Sequence, residues 1–362
     1  MAAMDNLTAG ADNLLLDSMG VGPNQRMLVV EEPDDCTLFE KRFADFIVQR
    51  AGFHGVTSVR RSPALIADPG DFPRDILQMM QEVDHTLFLS RLGDYCRFTD
   101  LEAPCSKTIC YVRSLDMLGS AFAGTCNRLF HSLLERFESE LFAAREWRIR
   151  CPLGTDIKGG FAWDKESEGE FSMNLFPVTT FRPAPCGTAD GRVALSRWLM
   201  PGGAPKVDNA YLMLDETIVA EVSDGELTGF AGPIESVRAA NDHYDHVAGT
   251  LGINRNRIHS WHAGMNPFTR FDGDLATDRG LAEWEAISFA SPRYLHMHTC
   301  GDVPPGEISW SMFNPTVQVD GQTLWQDGQF LWLQRPDIRP MLDGTPGALA
   351  LLETSADIGV GR

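Results

Sequence analysis

The sequence predicts an α/β fold in two parts: an N-terminal parallel-sheet domain over residues 1–146 and a β-rich C-terminal domain over residues 147–362. Three observations predict it. Short apolar runs alternate with stretches of helical spacing through the first part. Two Asp-Gly pairs sit between alternating apolar positions in the second, a hairpin signal. The length of 362 residues also exceeds what one hydrophobic core usually serves.

In the first part, Met27-Leu28-Val29-Val30 reads as a strand. Asp34-Asp35 then caps a helix in which Leu38, Phe39, Phe43, Phe46 and Ile47 recur with helical spacing. Val56 to Val59 is the next strand, followed by a helix around Ile76 to Val83 and the strand Thr86 to Leu89. Thr108 to Val112 is a further strand, and an amphipathic helix occupies much of Asn127 to Arg145. No glycine-rich phosphate fingerprint follows these strands, which argues against a dinucleotide site.

From Trp147 onward, strand and hairpin signals dominate. The Asp224-Gly225 turn lies within Val219 to Gly229, and Asp320-Gly321 within Pro315 to Leu324. Helices are predicted at about Ile234 to Gly249 and Leu281 to Ser288.

Composition narrows the function. With 31 basic against 50 acidic residues the formal charge is −19, a surface that repels phosphate backbones and anionic lipid. Neither nucleic acid nor membrane is expected as a partner. No apolar run approaches the roughly 20 residues of a membrane helix, and Met1 to Asn24 lacks the layout of a signal peptide, so a cytoplasmic protein is expected. Eight cysteines stand singly without a Cys-x-x-Cys and read as buried thiols. Cys300 alone lies beside a histidine pair.

Histidine density is the strongest functional signal. Four of the nine histidines, His259, His262, His296 and His298, fall between Ile258 and Gly321. Neutral imidazole is a good ligand for zinc, iron or nickel. On a strand His296 and His298 face the same side, which suits a two-nitrogen grip on a metal. The competing reading is a set of hydrogen-bonded polar residues lining a barrel or loop. His243 and His246 sit on a helix, where a solvated face is the simpler reading, and His54, His85 and His131 stand alone as structural or exposed residues. Trp261 and Tyr294 either stack on a flat ring or belong to the core. Arg270 and Asp272 form either an ion pair or a substrate clamp. No Gly-x-Ser-x-Gly elbow occurs, so serine-hydrolase chemistry has no support.

Three motifs, in order, resemble one superfamily. Gly154-Thr155-Asp156 resembles an element of the aminopeptidase T and S type metallopeptidases. Gly264-Met265-Asn266-Pro267, with Arg270 and Asp272, is similar to a run in the 2,5-dihydroxypyridine 5,6-dioxygenases. Asn314-Pro315 to Asp320-Gly321 resembles the closing strand and turn of both branches. The resemblance covers roughly residues 147–332. It implies a barrel-like, aminopeptidase T-like C-terminal domain holding the metal site, in a protein that is often a homo-oligomer. The peptidase branch implies two metals on glutamates, histidines and an aspartate; the dioxygenase branch implies one non-haem iron on two histidines and a carboxylate.

The sequence departs from both patterns. Ser260 stands where the dioxygenase pattern has a histidine, and Glu307-Ile308-Ser309 where it has His-x-Asp. Leu175 to Thr180 carries no acid where the peptidase pattern has glutamate. Two accounts follow. In one the ligand set has moved: His259 or His262, then His296 or His298, with Glu307 as carboxylate and Asp302 in reserve. In the other the metal has been lost. The sequence-level expectation is a metal-dependent enzyme, foremost a mononuclear non-haem Fe(II) oxygenase acting on a small hydroxylated aromatic, heterocyclic or peptide-derived substrate, with Arg270, Trp261 and Tyr294 as substrate contacts. The alternatives are an aminopeptidase-like hydrolase, with zinc as the alternative metal, and a metal-free peptide-binding protein.

Overall fold

A computed structural model describes residues 2–34, 36, 38–64, 66, 69–96, 101–163, 173–202, 207–301, 306–353 and 355–360. In chain order its strands are β1 (Arg26–Glu31), β2 (Thr57–Arg61), β3 (His85–Leu89), β4 (Ser106–Cys110), β5 (Glu146–Arg150), β6 (Asp156–Gly160), β7 (Asn174–Phe176), β8 (Ala184–Pro185) and β9 (Asp190–Pro201). There follow β10 (Leu212–Ser223), β11 (Glu226–Ala231), β12 (Ile258–Ala263), β13 (Tyr294–Thr299), β14 (Ile308–Phe313), β15 (Thr316–Val319), β16 (Gln322–Gln326) and β17 (Gln329–Phe330). The chain divides into two compact units. The first comprises Met1–Leu133, Gly169–Thr179 and Met341–Ala348; the second comprises Leu134–Glu168, Thr180–Pro340 and Leu349–Arg362.

The first unit holds a parallel sheet in the order β2-β1-β3-β4-β7. β1 and β3 lie inside it, so nearly every side chain is buried and their sequences are continuously apolar. β2 is an edge, and its Arg60 and Arg61 protect that edge from further pairing. The helix Lys41–Phe53 buries Phe43, Ala44, Ile47 and Ala51, the stripe its spacing predicts. Its start is a correction: the helix is capped at Glu40, not at Asp34-Asp35, and Leu38 and Phe39 precede it. The Glu40 N–H donates to the Arg113 carbonyl at 2.8 Å, and Glu40 itself is extended, with φ −67° and ψ 125°. Asp35 lies outside the described residues. The helix expected near 76–83 runs from Arg74 to Met80.

The second unit is a curled antiparallel half-barrel, in the order β17-β16-β15-β5-β6-β9-β14-β13-β12-β8, with β10 pairing β9 and β11. Both expected hairpins form. Asp224 and Gly225 have φ of 50° and 72°, and Asp320 and Gly321 have 45° and 77°, the paired left-handed conformation that a two-residue turn of this hand needs. Asp327-Gly328, at 48° and 79°, makes a third between β16 and β17 that the sequence analysis did not single out.

Aromatic rings fill the interior of this unit. Phe137 lies 5.2 to 5.4 Å from Phe181, Trp325, Phe330 and Trp332. The helix Ile234–Leu251 buries His243, Tyr244, Val247 and Ala248 as one stripe. His243 is therefore not on a solvated face, whereas His246 is exposed and meets the Asp208 carbonyl at 3.1 Å. Of the cysteines with described side chains, Cys105, Cys110, Cys186 and Cys300 are buried as expected, but Cys36, Cys126 and Cys151 are half-buried. No helix among the described residues is long and apolar enough to cross a membrane.

Two stability outcomes follow. Phe137→Ala removes a ring packed edge-on against Trp325, Phe330 and Trp332 and tilted against Phe181, and lowers the unfolding free energy by about 3–5 kcal/mol, read by urea denaturation. Burial, aided by the charge of His246, holds the His243 imidazole down at about 4 from an ordinary 6.5. Unfolded chains take up this proton as pH falls through 6.5 while the folded protein does not until about 4, so stability drops with pH across that window and is unaffected above it. In His243→Leu, unfolding midpoints measured between pH 4 and 7 fall less steeply with acid.

Candidate functional site

β12, β13 and β14 lie side by side, with almost every residue buried. Directly opposed residues of antiparallel strands share a face. β13 sets His298 against Ser260 and His296 against His262 on one side, and the same residues against Ser309 and Ser311 on the other. Those six side chains therefore form one polar face, with Tyr294 one step further along β13. The opposite face is apolar except Thr299, with Trp261, Leu295, Met297, Trp310 and Met312. There Tyr244 of the helix Ile234–Leu251 accepts a hydrogen bond from the Trp310 indole N–H at 2.6 Å.

Which histidines of β12 join this face is set by a bulge. Pairing with β13 slips by one residue between Ile258 and Ser260, leaving His259 as the extra residue. The His259 carbonyl accepts from the Cys186 N–H at 3.0 Å, and its Nδ1 lies 3.0 Å from the Ser260 hydroxyl. His262 is thereby placed opposite His296.

Ligand atoms of His262, His296 and His298 all lie within 4.8 Å of one another, and all three side chains are buried. The Nε2 atoms of His262 and His298 are 3.1 Å apart. Two nitrogens each about 2.1 Å from one ion, at angles between about 90° and 110°, are themselves roughly 3.0–3.4 Å apart, so this pair fits a shared divalent ion. His262 Nδ1 faces the Phe181 carbonyl at 3.4 Å, a contact that favours the proton on Nδ1 and leaves the Nε2 lone pair directed at the other histidines. Tyr294 stacks on His296 with centroids 5.4 Å apart and planes at 13°, and Trp284 backs Tyr294 at 5.1 Å. The Tyr294 hydroxyl lies 2.9 Å from the Ser311 hydroxyl, and burial holds the phenol proton well above its usual range.

The candidate donors are three imidazoles. Among the described residues no aspartate, glutamate or cysteine joins the group. Imidazole donors of this kind suit zinc, iron, copper or nickel, and three of them leave coordination positions for water or substrate.

The structure brings together His262, His296 and His298 of the sequence candidates and sets Tyr294 against them. Neither His259, the extra residue of the bulge, nor Glu307, which precedes β14 and donates its N–H to the Cys300 carbonyl at 2.8 Å, belongs to the group. Asp302 lies outside the described residues. Trp261 is a core residue on the apolar face, edge-on to Phe181 at 5.5 Å. Arg270 is exposed and paired with Asp272 at 2.7 Å, the ion-pair alternative. The serines of β14 were not foreseen as site residues. Their period-two placement in Ile308-Ser309-Trp310-Ser311-Met312, inside a wholly buried strand, was the available signal.

The motifs that carried the family resemblance are corners of the sheet. A Cβ on Gly264 would stand 2.2 Å from the Ala290 carbonyl carbon, so only glycine lets these backbones approach. Asn266 makes the turn after it, its side-chain oxygen accepting from the Phe268 N–H at 3.1 Å. The Thr155 hydroxyl accepts from the Ala194 N–H at 2.9 Å, and Asp320 accepts from the Arg145 and Glu146 N–H groups at 3.0 Å.

No protein-family model matches the chain, and no curated protein matches its sequence. Solved structures of similar fold include two that span most of both chains. One is 2,5-dihydroxypyridine dioxygenase from Pseudomonas putida KT2440, with a TM-score of 0.62 and 12% identity, over 89% of this chain and 96% of that one. The other is wild-type AmpT from Thermus thermophilus, with a TM-score of 0.52 and 10% identity, over 91% of this chain and 99% of that one. At such identities the likeness is one of fold.

Gly264→Ala forces the backbones of two segments apart and lowers the unfolding free energy by about 1–3 kcal/mol, measured by urea denaturation.

Proposed function

We propose that the chain is a metal-dependent enzyme whose ion is held by His262, His296 and His298, and that it is a mononuclear non-haem iron oxygenase acting on a small hydroxylated aromatic or heterocyclic substrate. The observation that carries this reading is the 3.1 Å approach of the His262 and His298 Nε2 atoms inside a buried group of three histidines. A ferrous ion there would supply Lewis acidity and one-electron chemistry toward dioxygen.

The chain's own residues supply orientation and proton control. The Phe181 carbonyl fixes the His262 ring, and Tyr294 fixes the plane of His296 from the other side. The hydroxyls of Ser260, Ser309 and Ser311 share the face with the histidines and suit the oxygen substituents of a hydroxylated ring. Tyr294, held protonated by burial, exchanges hydrogen bonds with Ser311 and keeps a proton beside the site. Burial of this face limits access of bulk water to the reacting groups.

A second reading is a zinc hydrolase, since three histidines with an open fourth position also make a catalytic zinc site, and AmpT is among the proteins of similar fold. Elemental analysis of untagged protein purified without oxygen distinguishes the two. Under the leading reading it finds about one iron per chain, lost in His296→Ala/His298→Ala and retained in His259→Ala and Glu307→Gln. Oxygen uptake with dihydroxylated rings then follows the iron. Zinc with peptide hydrolysis and no oxygen uptake would establish the second reading, and a metal-free protein with neither activity would refute both.

A further inference from the structure

The polar face of β12, β13 and β14 continues onto a fourth strand. β9 pairs with β14 so that Met200 lies opposite Ser309, and Ser309 lies opposite His298. Directly opposed residues share a face, so Met200 stands in one row with Ser309, His298 and Ser260.

The Met200 thioether is met by two hydroxyls of the same face. Its Sδ lies 4.0 Å from the Tyr294 hydroxyl and 3.7 Å from the Ser311 hydroxyl, and those two hydroxyls are 2.9 Å apart. Each hydroxyl has a single proton to donate. One of these protons serves the bond between the hydroxyls, and the other is left for the sulfur, which is only a weak acceptor. Ser311 is also opposed to His296 across β13, and the Tyr294 ring stacks on the His296 imidazole. The sulfur thus adjoins both the residue stacked on His296 and the residue paired with it.

A thioether is readily oxidised to a sulfoxide. Its lone pair attacks one oxygen of hydrogen peroxide, the S–O bond forms and the O–O bond breaks. The sulfur is oxidised by two electrons. The attacked oxygen gives its proton to the departing hydroxide, and water leaves. The sulfoxide oxygen is a much better acceptor, and the hydroxyl proton already directed at the sulfur satisfies it. Burial shields a methionine from peroxide in bulk solvent, so oxidation here depends on peroxide gathered at the site. Lewis acidity at His262, His296 and His298 supplies that. We propose that Met200 is a modification site, oxidised to the sulfoxide by hydrogen peroxide drawn to the histidine-held metal. This inference rests on the metal reading of the three histidines.

The test compares methionines within one chain, since Met4 and Met213 are 59% and 57% exposed and Met200 is 3% exposed. Untagged full chain, either metal-free or loaded with ferrous ion without oxygen, is treated with hydrogen peroxide. Peptide mass spectrometry then counts the oxygen added at each methionine. In the metal-free chain Met4 and Met213 are oxidised ahead of Met200, as exposure dictates. With iron bound, the ratio of Met200 to Met213 oxidation is expected to rise about tenfold or more. That rise is lost in His296→Ala/His298→Ala. Elemental analysis separates the two ways of failing. If no metal binds, the metal reading falls and this inference falls with it. If about one iron binds per chain and the ratio stays as in the metal-free chain, the inference alone is overturned. The loaded and metal-free comparison uses the native chain, so it stands even if the double variant fails to fold.

Discussion

The phase of β12 against β13 is the constraint on which the second unit's chemistry depends. With continuous pairing from Ile258 opposite Thr299, His259 would face His298, and His262 would stand opposite Leu295 among core residues. The extra residue at His259 shifts everything after it by one. His262 moves to the polar face and Trp261 to the core, where it packs on Trp147 and Phe181. One residue of register exchanges a histidine for a tryptophan on each face, because side chains alternate with period two.

A face of histidines, serines and a tyrosine inside a protein is costly unless its members satisfy one another. Two contacts link its members across neighbouring strands: Tyr294 with Ser311, and His262 with His298. Rings from outside the three strands close the edges, Trp284 against Tyr294 and Phe181 edge-on to His262 at 6.4 Å. The other face carries ordinary apolar packing and the Tyr244 hydroxyl, which meets Thr299 and Trp310. One sheet thus has an apolar side and a polar side that carries three histidines.

The motifs that resemble known families lie where the sheet turns, not where the histidines converge. Gly264 permits a close backbone approach, Asn266 and Asp320 accept backbone N–H groups, and Thr155 bonds into β9. Such positions preserve the path of the chain while the residues on the strands are free to differ. Fold similarity to a dioxygenase and to AmpT at 12% and 10% identity is consistent with that division.

The sequence by itself determined the α/β layer, the β-rich half, both Asp-Gly hairpins and the density of histidines, because these rest on local periodicity and turn chemistry. It also placed His296 and His298 on one side of a strand. It left His259 and His262 as equals, since a bulge is a property of two strands and neither one encodes it alone. Glu307 was a candidate by chain proximity, but where a side chain at the mouth of a strand lands depends on the loop that feeds it. For Arg270 and Trp261 the sequence left an ion pair or a clamp and a core or a stacking ring, and the structure shows Arg270 exposed and paired with Asp272 and Trp261 in the core. Tertiary structure alone chose the third histidine and set serines on the same face, through the pairing of β13 with β12 on one side and β14 on the other.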